Sequence, residues 1–179
     1  MVTRIRKSAA TASLRRMYVD CRYGQMHLTT AFPPSGGFDE LTALLFLHDD
    51  NGTGADFNAC AALLGTDRSV YAPDQPGCGA SDGPSMRMSV ANLAEAMADL
   101  IDQLRLRQVD LVGIGHGALV AFELATLRPR EIRRLVFAGN QQPAVTPEQP
   151  MLQVADGKTA PFEEPVAPLV ARIRAFLDR

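Results

Sequence analysis

Residues 109–118, VDLVGIGHGA, join a mostly apolar run to three glycines, and a second apolar run begins at Ala118. A short run that is apolar on both faces is typical of a parallel strand covered by helices on either side. The glycines permit a sharp turn into a helix, which we predict over residues 116–127, before Pro129. This stretch therefore predicts a buried strand that meets a helix at a tight turn.

The segments on either side repeat the alternation of strand and helix. Further apolar runs of strand length lie at residues 41–50, 69–72 and 134–138, and helices are predicted over residues 57–64, 89–104 and 166–177. This alternation is typical of a parallel sheet with right-handed crossovers. Residues 17–31 instead alternate with period two and break near Gly24, which predicts an antiparallel hairpin at the sheet edge. The predicted fold class is α/β, a mostly parallel sheet with helices on both faces and a short antiparallel N-terminal hairpin.

The predicted domain organisation is a tail followed by one domain. Residues 1–16 carry five basic side chains and no acidic one, and we expect a disordered basic tail there. Residues 17–179 are long enough to form a single hydrophobic core. Residues 141–150 contain three prolines and are expected to form a loop, with no strand between residue 138 and the last helix. Residues 135–137 would then lie near an exposed edge of the sheet.

Composition and charge exclude several classes of partner. A formal net charge of −2, with 21% charged residues, gives no field that would recruit nucleic acid or an anionic membrane. No apolar run approaches the roughly 18 residues of a membrane-spanning helix. The three cysteines are widely spaced and odd in number, so we expect reduced thiols and a cytoplasmic protein. The three histidines, at 27, 48 and 116, lack ligand spacing, and neither a metal nor a cofactor is expected.

Three motifs resemble those of the α/β-hydrolase family and occur in the family's order. Residues 113–117, GIGHG, are similar to the nucleophile elbow G-x-S-x-G. Residues 44–54, LLFLHDDNGTG, resemble the oxyanion strand and loop, and residues 71–82, YAPDQPGCGASD, resemble the turn D-x-P-G-x-G-x-S. The resemblance covers about residues 17–142. It implies an α/β-hydrolase-like sheet with its site at the carboxyl ends of the strands.

The same resemblance identifies catalytic groups that have no counterpart in the chain. Gly115 stands at the tip of the elbow, where acyl transfer needs a hydroxyl, thiol or carboxylate. The family's catalytic histidine falls about at Thr159, and threonine cannot shuttle a proton near neutral pH. The cap, the triad acid and its strand find no match after residue 138. Ordinary serine hydrolysis is therefore not expected, because the triad acts as a unit.

Candidate catalytic residues cluster at the predicted carboxyl edge of the sheet. His48, Asp49 and Asp50 form the densest group of titratable side chains, and an imidazole beside a carboxylate can support general acid–base chemistry. His48 also matches a family histidine that is chiefly structural. His116 has two interpretations, a substitute nucleophile or a structural side chain packed under the elbow.

A ligand-binding role is predicted for Asn51, Gly52, Gly54 and Gly115. The loop that holds the first three would supply backbone N–H groups facing the elbow, and these could hold an anion or a carbonyl oxygen. The missing side chain at position 115 would widen the cleft. Binding is therefore expected even where chemistry is lost.

Three functions are compatible with these residues. The first is a pseudoenzyme or small-molecule binder, which would bind without turnover. The second is a residual hydrolase or lyase-type enzyme that acts on a small ester, lactone or epoxide-like substrate through His48, Asp49 or Asp50. The third is a homodimeric interaction protein that pairs through the exposed edge at residues 135–137.

Overall fold

The computed structural model describes residues 11–34, 41–155 and 166–179. The strands in these ranges are β1 Leu14–Cys21, β2 Gly24–Ala31, β3 Ala43–Leu47, β4 Val70–Pro73, β5 Val109–Ile114, β6 Ile132–Ala138 and β7 Met151–Ala155. The helices are α1 Asn58–Leu64, α2 Val90–Gln103, α3 His116–Leu127 and α4 Val166–Leu177, and a 3₁₀ turn at Gly54–Phe57 leads into α1. Strand and helix alternate from β3 to β6, as the apolar runs predict.

The strands form one sheet in the order β1-β2-β4-β3-β5-β6-β7. β1 pairs with β2, and β2 with β4, in antiparallel register, whereas β4, β3, β5, β6 and β7 are parallel neighbours. The carboxyl ends of the parallel strands therefore meet at one edge of the sheet, where ligands bind in open α/β folds. The predicted α/β class with an antiparallel N-terminal hairpin is confirmed.

Alternate side chains of the central strands build one core on each face of the sheet. Leu45 and Leu47 of β3 join the core of α2 and α3, and Leu44 and Phe46 join the core of α1 and α4. This division follows from the period of two in a strand. Helices therefore cover both faces. Within the described ranges, none of them is both long and apolar enough to cross a membrane.

The sheet starts earlier in the chain than the sequence predicts. β1 begins at Leu14, and Ala12 is buried with its N–H bonded to Ala62 O at 2.7 Å. The prediction of a disordered tail is therefore wrong from residue 11 onward, and residues 1–10 lie outside the described ranges. The start of β1 was not predicted because it contains Arg15 and Arg16. Side chains of an edge strand can be solvated, and such a strand shows no apolar alternation.

A strand that the sequence does not predict follows the loop at residues 141–150. β7 lies parallel to β6, with Val136 opposite Leu152. Residues 135–137 are therefore inside the sheet, and Leu135 and Val136 are fully buried. The predicted exposed edge at this position, and a dimer formed through it, are wrong. β7 has only five residues, which are too few alternations to mark a strand after a proline-rich loop.

Candidate functional site

β5 and α3 meet at a single residue, Gly115, whose backbone has φ 53° and ψ −122°. A positive φ of this kind favours glycine, because a Cβ crowds the backbone there. Gly115 N–H donates to Ala138 O at 3.0 Å, and Ala118 N–H donates to Gly115 O at 3.1 Å. α3 packs so closely on β3 that a Cβ at Gly117 would lie 2.2 Å from Leu47 O. The predicted strand–turn–helix is present, with glycine at its tip.

The Asp49 carboxylate lies directly over the tip of this turn. Its Oδ1 accepts the His116 N–H at 2.6 Å and the Asp50 N–H at 3.0 Å. A Cβ built on Gly115 would stand 2.2 Å from both Cγ and Oδ1 of Asp49. The His116 N–H is the first of α3, so the positive end of the helix dipole also favours a carboxylate here. Asp49 therefore fills the space that a side chain at position 115 would need.

His48 is almost fully buried, and both of its ring nitrogens are bonded. Nδ1 donates to Asp49 O at 2.7 Å and Nε2 accepts the Gln75 N–H at 2.9 Å, so the ring is neutral and protonated on Nδ1. The Gln75 side chain donates to His48 O at 2.7 Å. Burial lowers the pKa of His48. The ring therefore ties the loop after β3 to the loop after β4, and no nitrogen is left for proton transfer.

The His116 ring lies beside Asp50, instead of packing under the turn as one interpretation holds. His116 Nδ1 is 3.5 Å from Asp50 Oδ1, and the Arg87 guanidinium forms an ion pair with the same carboxylate. His116 Nε2 is buried and has no hydrogen-bond partner among the described residues. His116 thus contributes a backbone donor to Asp49 and a side chain to a neighbouring group of charges.

A cleft of about 350 Å³ opens beside this group at the carboxyl edge of the sheet. Its polar lining includes His48, Asp50, Gln75, Arg87 and His116, and its apolar lining includes Met86, Met88 and Leu93. The Gln75 side chain is buried, and its Oε1 has no partner in the part of the chain that the structure describes. The volume is typical of small-molecule sites. The lining suits a small ligand with both polar and apolar parts.

The backbone donors predicted to hold an anion are bonded within the protein. Gly52 N–H donates to Asp49 O at 2.9 Å, and Gly54 N–H donates to Asp74 Oδ1 at 2.8 Å. Neither N–H is therefore available to face the elbow, contrary to the prediction. Asn51 lines the cleft, where a ligand would contact it. Thr159 lies outside the described residues.

Asp74 is a buried carboxylate that braces the loops around the cleft. Besides Gly54 N–H, it accepts the Ala80 N–H at 2.9 Å and lies 3.0 Å from His27 Nδ1. The sequence analysis did not predict this contact between His27 and Asp74, and it also missed Gln75 and Arg87 as cleft residues. The turn motif at residues 71–82 was the available signal for Gln75. Arg87 stands in no motif that would reveal it.

The model of the alpha/beta hydrolase fold family matches residues 42–169, which is more than half of the chain. The parallel sheet order and the turn at Gly115 agree with this match. The chain belongs to the α/β hydrolase fold family.

Curated relatives match parts of the chain. An uncharacterized protein of Mycobacterium tuberculosis is 35% identical over 95 residues, which are 53% of this chain and 28% of that protein. A poly(3-hydroxyalkanoate) depolymerase of Ectopseudomonas oleovorans is 32% identical over 121 residues, which are 66% of this chain and 41% of that protein. The chain thus spans less than half the length of these relatives.

Solved structures share the fold at low sequence identity. An epoxide hydrolase solved without ligand aligns with a TM-score of 0.64 and 22% identity, over 71% of this chain and 42% of that chain. A carboxylesterase from Bacillus subtilis aligns with a TM-score of 0.62 and 24% identity, over 70% of this chain and 43% of that chain. At these identities the likeness shows the fold alone.

Gly115→Ser is expected to destabilise the protein without creating hydrolase activity. A serine at this position would have an unfavourable positive φ, and its Cβ would clash with the Asp49 carboxylate. The free energy of unfolding is therefore expected to fall by about 2 kcal/mol or more. Asp49→Ala removes the clash, and the double variant is expected to be more stable than Gly115→Ser alone. Urea unfolding of the single and double variants measures this coupling. Asp50→Ala is the matched control. If it stabilised Gly115→Ser as much as Asp49→Ala does, a clash between the new side chain and Asp49 would be contradicted.

Because the buried ring of His48 is neutral, the free energy of unfolding is expected to decrease as the pH is lowered. Because its folded pKa lies below the unfolded value, the unfolded chain binds the proton first, and stability is lost as the pH drops below about 6.5. His48→Gln is expected to be less stable at neutral pH but to lose less of its free energy of unfolding between about pH 7 and pH 5.5. Urea unfolding at each pH measures the slope, with His116→Gln as the histidine control. A slope unchanged by His48→Gln would refute the assignment.

Proposed function

We propose that this chain is a ligand-binding member of the α/β hydrolase family that does not carry out serine hydrolysis. The observation that carries the proposal is the Asp49 carboxylate over Gly115, bonded to the His116 N–H. In a serine-type elbow, the N–H after the nucleophile helps to bind the oxyanion of the reaction. A carboxylate bonded to that N–H both occupies the position and repels negative charge.

The remaining groups near the turn also support binding over acyl transfer. Both nitrogens of His48 are bonded within the protein, and the His116 ring lies beside Asp50. Burial raises the pKa of the Cys78 thiol, so this cleft cysteine stays protonated near neutral pH and is a poor nucleophile. Acyl transfer needs a nucleophile and its base together.

The cleft provides the proposed binding surface. Its volume of about 350 Å³ suits a small molecule, and its wall combines the side chains of Met88 and Leu93 with the Asp50–Arg87 ion pair. One relative is named as a poly(3-hydroxyalkanoate) depolymerase. Another, from Pseudomonas putida and 38% identical over 74 residues, is named as a 2-hydroxymuconate semialdehyde hydrolase. These names favour small esters and carbonyl compounds as the first ligand class to test.

A residual enzyme that uses Asp49 is the second candidate. Asp49 Oδ1 is held by two N–H donors, and no described residue donates a hydrogen bond to Oδ2. Such a carboxylate oxygen can attack an epoxide carbon: a new ester C–O bond forms, the epoxide C–O bond breaks, and the alkoxide takes a proton from water. This reaction would leave a covalent adduct on Asp49.

The wild-type protein is expected to bind p-nitrophenyl butyrate without hydrolysing it. Release of p-nitrophenolate should not exceed the buffer rate, because among the described residues no hydroxyl or thiolate stands at the tip of the turn and both ring nitrogens of His48 are bonded within the protein. Saturation-transfer NMR should detect the bound ester. Met88→Trp, which fills the cleft, should raise the Kd about tenfold, or 1.4 kcal/mol. Met151→Trp on β7 is the matched control, since Met151 is a partly exposed methionine outside the cleft lining.

Three outcomes would contradict the proposal of ligand binding in this cleft. Ester turnover that is abolished by His48→Ala would favour the residual hydrolase that acts through His48. A covalent adduct with styrene oxide, found by intact mass measurement and absent from Asp49→Asn, would favour the second candidate. Binding unaffected by Met88→Trp would place the ligand outside this cleft.

A further inference from the structure

β1 is the terminal strand of the sheet, and it directs a row of backbone groups away from its neighbour. Tyr18 and Asp20 lie opposite His27 and Gln25 of β2. The N–H groups of His27 and Gln25 do not donate to β1, because they donate to Ser81 Oγ and to an Asp82 carboxylate oxygen, each at 2.8 Å. Tyr18–His27 and Asp20–Gln25 are therefore non-hydrogen-bonded pairs of the β1–β2 ladder.

The backbone direction of the other β1 residues follows from this pattern. Hydrogen-bonded and non-hydrogen-bonded pairs alternate along an antiparallel ladder. The N–H and C=O groups of the even-numbered residues, from Leu14 to Asp20, therefore point toward the outer edge of the sheet. Such an edge is a template for pairing with another strand.

The even-numbered side chains share one exposed face of β1. Leu14 is 38% exposed and Tyr18 is 54% exposed, and Arg16 and Asp20 are exposed between and beyond them. Arg16 forms no ion pair with any described residue, and Asp20 has a 3.5 Å contact from Gln25 Nε2. Both charges are thus open to a partner. The odd-numbered side chains Met17, Val19 and Cys21 pack on the core beneath α2.

We propose that β1 pairs antiparallel with β1 of a second copy of this chain, about a two-fold axis at Tyr18. In that register Tyr18 lies opposite Tyr18, and Arg16 of each copy lies opposite Asp20 of the other. Opposite charges at facing positions stabilise antiparallel strands, and like charges destabilise them. A two-fold axis at Arg16 or at Asp20 would instead set like charges opposite each other.

The partner is a second copy because the charge pattern is complementary to itself. A two-fold interface presents the same patch on both subunits. Each residue of the patch must therefore be complementary to the residue that the second copy places opposite it. One strand that carries Arg16 and Asp20 at equal distances on either side of Tyr18 meets this condition. The three central pairs can exchange two backbone hydrogen bonds each, because all of their N–H and C=O groups point outward. This inference does not depend on the cleft.

Charge exchange across β1 tests the proposed dimer. Sedimentation velocity of the full chain, up to high micromolar concentration, should show a monomer–dimer equilibrium. Arg16→Asp and Asp20→Arg should each raise the dimer Kd about tenfold or more. Each change places like charges at positions 16 and 20 of facing strands, and the two-fold axis repeats this repulsion at two sites in the dimer. The double variant Arg16→Asp/Asp20→Arg restores both pairs and should recover dimerisation. Arg107→Asp, at an exposed arginine outside β1, is the control.

The double variant separates specific pairing from a general loss of structure. Thermal melts recorded well below the dimer Kd should match wild type for all four variants, since each substitution is on an exposed side chain. A wild-type chain that stays monomeric throughout would overturn the proposal. So would a dimer that is insensitive to Arg16→Asp, or a double variant no better than the single ones.

Discussion

The hydrogen bond from the His116 N–H to the Asp49 carboxylate is the contact on which the arrangement of the site depends. It forms because glycine at the tip of the turn leaves room for the carboxylate. It also forms because α3 starts at the next residue, whose N–H has no acceptor within the helix. The Asp49 carbonyl in turn accepts from His48 Nδ1 and Gly52 N–H. The turn, the loop after β3 and, through His48, the loop after β4 are therefore one bonded unit.

A hydrolase site normally combines an open cleft with an open anion position. In this bonded unit only the cleft is open. The anion position beside the turn holds the protein's own carboxylate, so charge developing on a substrate oxygen would find no donor there. The neighbouring cleft stays open, and its walls carry Asp50, Arg87 and His116. In the proposed function, recognition of a ligand depends on those walls, whereas covalent chemistry would depend on the occupied position. The proposed binding surface therefore does not depend on a nucleophile at position 115.

The glycine-rich turn and the apolar runs were enough to predict most of the sheet, because apolar periodicity reports strands that are buried on both faces. Periodicity does not report a strand with solvated side chains, such as the start of β1 at Arg15 and Arg16, or one as short as β7. At the site, motif order located Gly115 and His48. It could not locate the Asp49 contact, because that contact depends on where two loops distant in sequence meet in space.

Proton–nitrogen NMR of the His116 amide, recorded for the wild type and for Asp49→Ala, is the sharpest check on the contact between the turn and the Asp49 carboxylate. We expect the wild-type amide proton to be shifted strongly downfield, because it bonds to a carboxylate at 2.6 Å. That downfield shift should be lost in Asp49→Ala. An amide proton at an ordinary position that does not respond to Asp49→Ala would contradict the account, since the space over Gly115 would then be open.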